Sequence, residues 1–503
     1  MCLPTSPSPP HLPPELWARV FFWATFSSAR DVSSLLTVPL FDGIAHREDD
    51  FQVRQALVTK LTLALVCRQW RALSEQYLYE DIWVRHGKQV LADTFESSKR
   101  DCSQDIGLGR HVKRIVLAQL QNNNPSQWHS RHWADEYTSR IVRCCPNLLA
   151  LSRYYDISVK CDDDDDETML EEGIQGLLER YENECCSIHD PPLPTMRRLD
   201  WSNGTAVDPW RPTISAVPSS VWSAEQLEVL SLAGDNYFWA PTELQALSSG
   251  GRGHILLPNL HTLRVGSLYA FGVPGVSNYM LVLPALRRII LDRGEALHRL
   301  IDCVVASSPA SSSAQSKSSP NVPNVKALEV GTPHWRFSRS DYISTFIRHY
   351  PTAESLHYPV FFARPLRWRR LRDNGLSYGP VEQQRVFSSL RHVGLHAEPN
   401  PELTYPERNG DAIWAHLHAH ARSLLGSTSP TLLESRLPCV NSITLHGLSW
   451  ISLINDKRFY FILSLARARG AKIQADNPSV ANALEETMLS YCTALSYEHV
   501  HEL

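Results

Sequence analysis

The amino-acid sequence points to an α/β protein: a helical module over residues 12–83, then a curved αβ solenoid over residues 84–503. Two segments near the N-terminus carry wide apolar faces at helical spacing. A short apolar octapeptide recurs along the rest of the chain, and helix-like segments fall between its copies. Alternation of helices with short, similar strands is the sequence form of a solenoid.

The first 11 residues are rich in proline and serine and are expected to be disordered. Leu12-Pro13-Pro14-Glu15-Leu16 then opens a helix. Proline suits the first turn because its missing N–H would be unpaired there, and Glu15 complements the positive helix end. Leu16, Val20 and Trp23 share one face and Trp17, Phe21 and Ala24 the adjoining stripe, which is wider than a lone surface helix needs. Residues 30–55, with the charged run Arg47-Glu48-Asp49-Asp50, read as a loop or insertion. Val66, Trp70, Leu73 and Tyr77 restore helical spacing.

From about residue 110 the pattern becomes φ-x-x-φ-x-φ, where φ is apolar. It occurs after a proline at Met196-Leu199-Trp201, Leu260-Leu263-Val265, Leu286-Ile289-Leu291, Val325-Leu328-Val330 and Val440-Ile443-Leu445. Without the proline it occurs at Val112-Ile115-Leu117, Leu227-Leu230-Leu232 and Leu390-Val393-Leu395, and Leu148 with Leu151 is a partial copy. The last two apolar positions lie on one face of a short strand, and the first anchors the turn into it. Trp133, Tyr137 and Ile141, and the run Tyr342–Tyr350 before Pro351, read as intervening helices. The copies are unequally spaced, so several units carry insertions. The acidic stretch near 161–168 and the serine-rich stretch 307–320 read as solvated loops.

Composition narrows the function. The chain has 503 residues, 43% hydrophobic and 20% charged, with net charge -4 and pI about 6.6. That balance argues against a nucleic-acid partner. No secretory signal opens the chain and no apolar run is long enough to span a membrane. Eleven cysteines without a Cys-x-x-Cys suggest reduced thiols and a cytoplasmic or nuclear location.

Leu12-Pro13-Pro14-Glu15-Leu16, followed by Val66-Cys67-Arg68-Gln69-Trp70-Arg71 and Leu78-Tyr79-Glu80-Asp81-Ile82, resembles the two ends of an F-box. The whole is similar to the fungal F-box-like proteins with degenerate leucine-rich repeats. The resemblance implies a non-catalytic, substrate-recruiting subunit of an SCF-type cullin ubiquitin ligase, which would tether a protein substrate near the conjugating machinery. It implies docking on the S-phase-kinase-associated adaptor through Leu12, Pro13, Leu16, Val20, Phe21, Val66, Cys67 and Trp70, with no cofactor. Departures are the long gap between the two motifs and the lack of the asparagine that leucine-rich repeats place after the strand. Exposed aromatics such as Tyr237, Phe238, Trp239 and Trp335 would serve as substrate anchors or fold back onto the repeats. A repeat scaffold unconnected with ubiquitin ligases is the alternative.

Motifs for chemistry are few. Gly375-Leu376-Ser377-Tyr378-Gly379 has the spacing of a serine-hydrolase elbow but follows an arginine-rich segment and precedes Pro380, which favours a turn. His416, His418 and His420 lie on a helix-like segment. His416 and His420 could share a metal, but no third ligand is evident nearby. Cys185-Cys186 with His189 matches no standard finger, and Gly107-x-Gly109 and Gly250-Gly251-x-Gly253 lack a phosphate-loop frame. No catalytic and no metal-binding residue is assigned from sequence.

Overall fold

In a computed structural model, the described residues are 13–25, 36, 45–84, 87–101, 107–120, 136–156, 195–201, 215–216, 224–237, 254–268, 280–291, 300–301, 304–306, 322–331, 342–365, 389–397, 410–426 and 439–501. The chain divides into two compact units, Met1–Leu230 and Ser231–Leu503.

The first unit opens with α1 (Pro14–Ala24), with proline at its first position and Glu15 in its first turn. Then come α2 (Ala45–Val66) and α3 (Arg68–Tyr79). Cys67 separates these two helices, and its Sγ accepts the Trp70 N–H at 3.4 Å as an N-cap. Residues 45–55, expected in a loop, are helical. The run at 47–50 sits in the first turns, where acidic residues favour a helix despite their polarity. Trp70 lies against Trp17 and Phe21, with ring centroids 4.7 and 5.0 Å away, and the Tyr77 hydroxyl donates to the Ala18 carbonyl at 3.0 Å.

The chain then forms β1 (Asp81–Val84), α4 (Lys88–Asp101), β2 (Arg114–Leu120), α5 (Glu136–Arg143), β3 (Ala150–Asp156) and β4 (Arg198–Trp201). These four strands pair in that order, all parallel. Arg140 of α5 clamps α4 through Glu96 at 2.7 Å and Asp93 at 2.6 Å. A two-residue strand, β5 (Ser215–Ala216), precedes β6 (Val229–Tyr237), within which the division between the units falls.

The second unit continues with β7 (His254–Leu256), β8 (Thr262–Leu268), β9 (Met280–Val282), β10 (Arg288–Leu291), β11 (Val304–Val305) and β12 (Ala327–Val330). There follow α6 (Tyr342–His349), β13 (Ser355–Pro359), β14 (His392–His396), α7 (Asp411–Leu425) and β15 (Ser442–His446), then α8 (Trp450–Ile454), α9 (Phe459–Arg469), β16 (Lys472–Ala475) and α10 (Pro478–His501). Strands β8, β10, β12, β13, β14, β15 and β16 pair in that order in one parallel sheet. The short strands β7, β9 and β11 make a second parallel sheet.

One backbone device recurs at the start of the strands. The Lys326 carbonyl accepts N–H groups from Glu354 and Ser355, Glu354 from Arg391 and His392, and Arg391 from Asn441 and Ser442, all at 2.8–3.2 Å. Each forked bond pins the next strand in register. The apolar pattern follows from it. Leu356, Val393, Leu395, Ile443 and Leu445 are buried, and Leu395, Ile443 and Leu445 meet Leu417, Leu424 and Trp450 around a cavity of about 20 Å³. Trp450 is fully buried, and its indole N–H donates to the Leu395 carbonyl at 3.0 Å.

Two expectations fail. The chain is not a curved leucine-rich-repeat solenoid behind a separate F-box module; it is parallel α/β, with helices interleaved among strands that pair in chain order. The octapeptide marks the strands, but those offsets are what any short parallel strand needs when one face lies under helices. Among the described residues the connections differ in size: β13 follows an 8-residue helix, β15 a 15-residue helix and β16 two helices. Nor does α3 close off a module. It leads through Glu80 into β1, and the Glu80 carbonyl accepts the N–H groups of Lys113 and Arg114. The reading as a substrate-recruiting subunit of a cullin ubiquitin ligase, or as a repeat scaffold, rested on that architecture and falls with it.

Replacing Trp450 by alanine removes the largest side chain clamping α8 to the sheet and should lower the unfolding free energy by about 3–5 kcal/mol. Urea unfolding measures this, and a loss below about 1 kcal/mol would show that Trp450 does not hold the packing.

Candidate functional site

Because side chains alternate across a strand, the residues opposite the buried apolar row line the other face of the sheet. Register places His357 of β13 beside Gly394 of β14, Gly394 beside Thr444 of β15, and Thr444 beside Gln474 of β16. One step further, His396 pairs with His446. Three imidazoles from three neighbouring strands therefore converge: His357, His396 and His446, all buried, each offering one ring nitrogen within 4.8 Å of the others.

The rings pack closely. His396 and His446 are stacked, with centroids 4.4 Å apart and planes 7° apart, and His357 stands 5.2 Å from His446 at 53°. Gly394 makes room for them. A Cβ at that position would lie 2.0 Å from Nδ1 of His357, so only glycine lets the ring lie across β14. The His357 Nδ1 and His446 Nε2 are buried without a hydrogen-bond partner. The other nitrogen of His446, Nδ1, donates to Oδ2 of Asp476 at 2.7 Å.

Burial sets the charge state. His357 is held down to about 3, first by burial and then by the imidazoles of His446 and His392 and by Arg288. His396 is held down to about 2, again by burial first and then by His446 and His357. Both are neutral at physiological pH, so their ring nitrogens keep lone pairs for coordination. At the rim, Thr444 Oγ1 accepts from the Gln474 amide at 3.0 Å and shares a hydrogen bond with Nε2 of His392 at 3.3 Å. Burial, then His446, also lowers the pKa of His392. Beside His357 in the same row stands Glu329 of β12, ion-paired with Arg288 at 2.5 Å.

The histidine run of α7 is a different kind of feature. His416 Nε2 donates to the Val360 carbonyl at 2.8 Å, His418 Nε2 to Arg458 at 3.1 Å and His420 Nε2 to Ala363 at 3.0 Å. His420 Nδ1 in turn accepts from the Tyr358 hydroxyl at 3.2 Å. These side chains tie α7 to the chain around it.

The residues named from sequence as adaptor-facing belong to the first unit. Leu12 lies outside the described residues. Pro13, Leu16, Val20, Val66 and Cys67 are exposed, Phe21 is buried and Trp70 is half-buried. Ser377 with its flanking glycines, Cys185, Cys186, His189, the 250–253 glycines, Phe238, Trp239, Trp335 and the two loop insertions near 161–168 and 307–320 all lie outside the described residues. So do all of Tyr237 but its backbone and all of 30–44 but residue 36. Gly107 precedes a 3₁₀ turn at Leu108–His111 and Gly109 lies within it, where a Cβ on Gly109 would lie 1.9 Å from the Cys144 carbonyl oxygen. Sequence reasoning missed the triad entirely. Its signal was present: a histidine directly follows the last apolar residue in two consecutive copies of the octapeptide, Leu395-His396 and Leu445-His446.

No protein-family model and no curated protein matches the chain. Among the described residues no helix is long and apolar enough to cross a membrane.

Two outcomes follow from this geometry. Gly394→Ala should drive a methyl group into His357 and cost about 1–3 kcal/mol of stability, as overpacked substitutions do, seen as a lower urea midpoint; an unchanged midpoint would show that the ring moves aside freely. His420 is buried and neutral, its pKa pushed down to about 3 by burial first, then by His416. Unfolded, it titrates near 6.5, so the unfolded chain binds the extra proton. Its share of stability is complete above pH 6.5 and is lost as pH falls towards 3, at up to about 1.4 kcal/mol per pH unit. His420→Gln should flatten that slope in urea titrations at stepped pH, and an equal slope in both proteins would count against the assignment.

Proposed function

We propose that this chain binds a divalent transition-metal ion of the zinc class through His357, His396 and His446, with a coordination position left for water. The observation that carries the reading is the convergence of three buried imidazoles, each bringing one ring nitrogen within 4.8 Å of the others; His357 Nδ1 and His446 Nε2 are in addition buried without a hydrogen-bond partner. Unpaired buried nitrogens cost free energy unless something satisfies them, and a metal ion satisfies several at once.

The donor set narrows the ion. Imidazole suits zinc, copper, iron and nickel, whereas magnesium and calcium take oxygen ligands. Zinc–nitrogen bonds of about 2.0–2.1 Å place tetrahedral ligand atoms about 3.3 Å apart. The rings must therefore close by up to roughly 1.5 Å, within reach of side-chain rotation. Neutral imidazoles, as at His357 and His396, release no proton on binding. Three nitrogen ligands with an open fourth position are the arrangement in which a metal ion brings bound water to a pKa near 7. Hydrolysis or hydration by metal-activated water is the chemistry this permits.

Titration with Zn²⁺ by calorimetry, and with Co²⁺ by visible absorption, should give one site per chain. Saturating zinc should raise stability by about 2.7 kcal/mol at a hundredfold excess over Kd. His396→Ala and His446→Ala, with folding checked by circular dichroism, should each abolish stoichiometric binding. Absence of binding to the unaltered chain, or equal binding after both substitutions, overturns the reading.

A further inference from the structure

The metal reading leaves open what fixes the ligand nitrogen of His446. A neutral imidazole carries its proton on either nitrogen, and only the bare one can ligate. The partner of the protonated nitrogen decides which that is. In His446 that partner is Asp476, whose Oδ2 lies 2.7 Å from Nδ1.

Asp476 is itself held in place. It follows the last residue of β16 and precedes Asn477, whose side chain accepts the Ser479 N–H at 2.9 Å and whose carbonyl accepts the Ala481 N–H at the start of α10. Its own N–H donates to the Leu445 carbonyl at 3.3 Å. Backbone bonds to β15 on one side and a helix start on the other thus set the carboxylate beside the ring.

We propose that Asp476 is a positioning residue of the His357–His396–His446 site, accepting the Nδ1–H of His446 and so presenting Nε2 to the metal. This rests on the metal reading. The carboxylate touches no metal ligand position itself and acts by fixing which ring nitrogen of His446 carries the proton. The arrangement is a carboxylate–histidine–metal relay assembled from β15 and the β16–α10 junction.

The first test needs no metal. Nitrogen-15 NMR of the metal-free chain should report His446 as the Nδ1–H tautomer, and Asp476→Ala should shift it towards the Nε2–H form. The second compares zinc and cobalt affinities. Asp476→Ala should weaken binding roughly 10–100-fold, and Asp476→Asn, whose carboxamide oxygen can still accept the proton, should weaken it less. If the unaltered chain binds no metal, the metal reading fails while the tautomer result still stands or falls alone. If it binds metal and Asp476→Ala leaves both affinity and tautomer unchanged, the positioning role is overturned.

Discussion

The forked carbonyl bond at the starts of β10, β12, β13, β14 and β15 is the constraint on which the main sheet of the second unit depends. A parallel strand that slipped by one residue would turn its whole apolar set towards the opposite face. Here the carbonyls of Lys326, Glu354 and Arg391 each hold two consecutive N–H groups of the next strand. That lock carries Leu356, Val393 and Ile443 into one buried row and, by the same act, His357, Gly394 and Thr444 into another. Core and candidate site are two faces of a single registration.

The second row is costly to build. His357 and His396 are buried where a charge would be opposed by desolvation and by the neighbouring imidazoles, which is why their pKa values fall so far. Gly394 adds a further cost, since glycine in a strand interior is entropically unfavourable and packs nothing. Only the space it leaves explains its presence, because any side chain there would strike His357. A strand that gives up packing to seat a histidine, beside two more histidines, is what the proposed metal site requires.

Much of the fold could be read from the sequence, and the limits have physical causes. The offsets in Leu390-Val393-Leu395 and Val440-Ile443-Leu445 located strands because burial of one face leaves a period-two mark. The helix at Tyr342–His349 was visible because Pro351 ends it. The helix from Ala45 was missed because its first turns are charged rather than apolar. The architecture was misjudged because the octapeptide records burial on a parallel strand and carries no information about what connects one strand to the next. The site was missed for a different reason. His357, His396 and His446 are far apart in sequence, and only the strand register makes them neighbours, whereas the adjacent His416, His418 and His420 drew attention by their spacing alone.

The contrast between those two sets separates a structural histidine from a candidate ligand. His420 is more deeply buried than His446, yet it has partners at both nitrogens, the Ala363 carbonyl on one side and the Tyr358 hydroxyl on the other. A histidine satisfied twice has no lone pair to offer and serves as a cross-link. His446 has a carboxylate on Nδ1 and no partner on Nε2. That asymmetry is what a ligand requires: one nitrogen held so that the other is available in a known direction. Burial is common to both, and the accounting of each ring's two nitrogens decides between them.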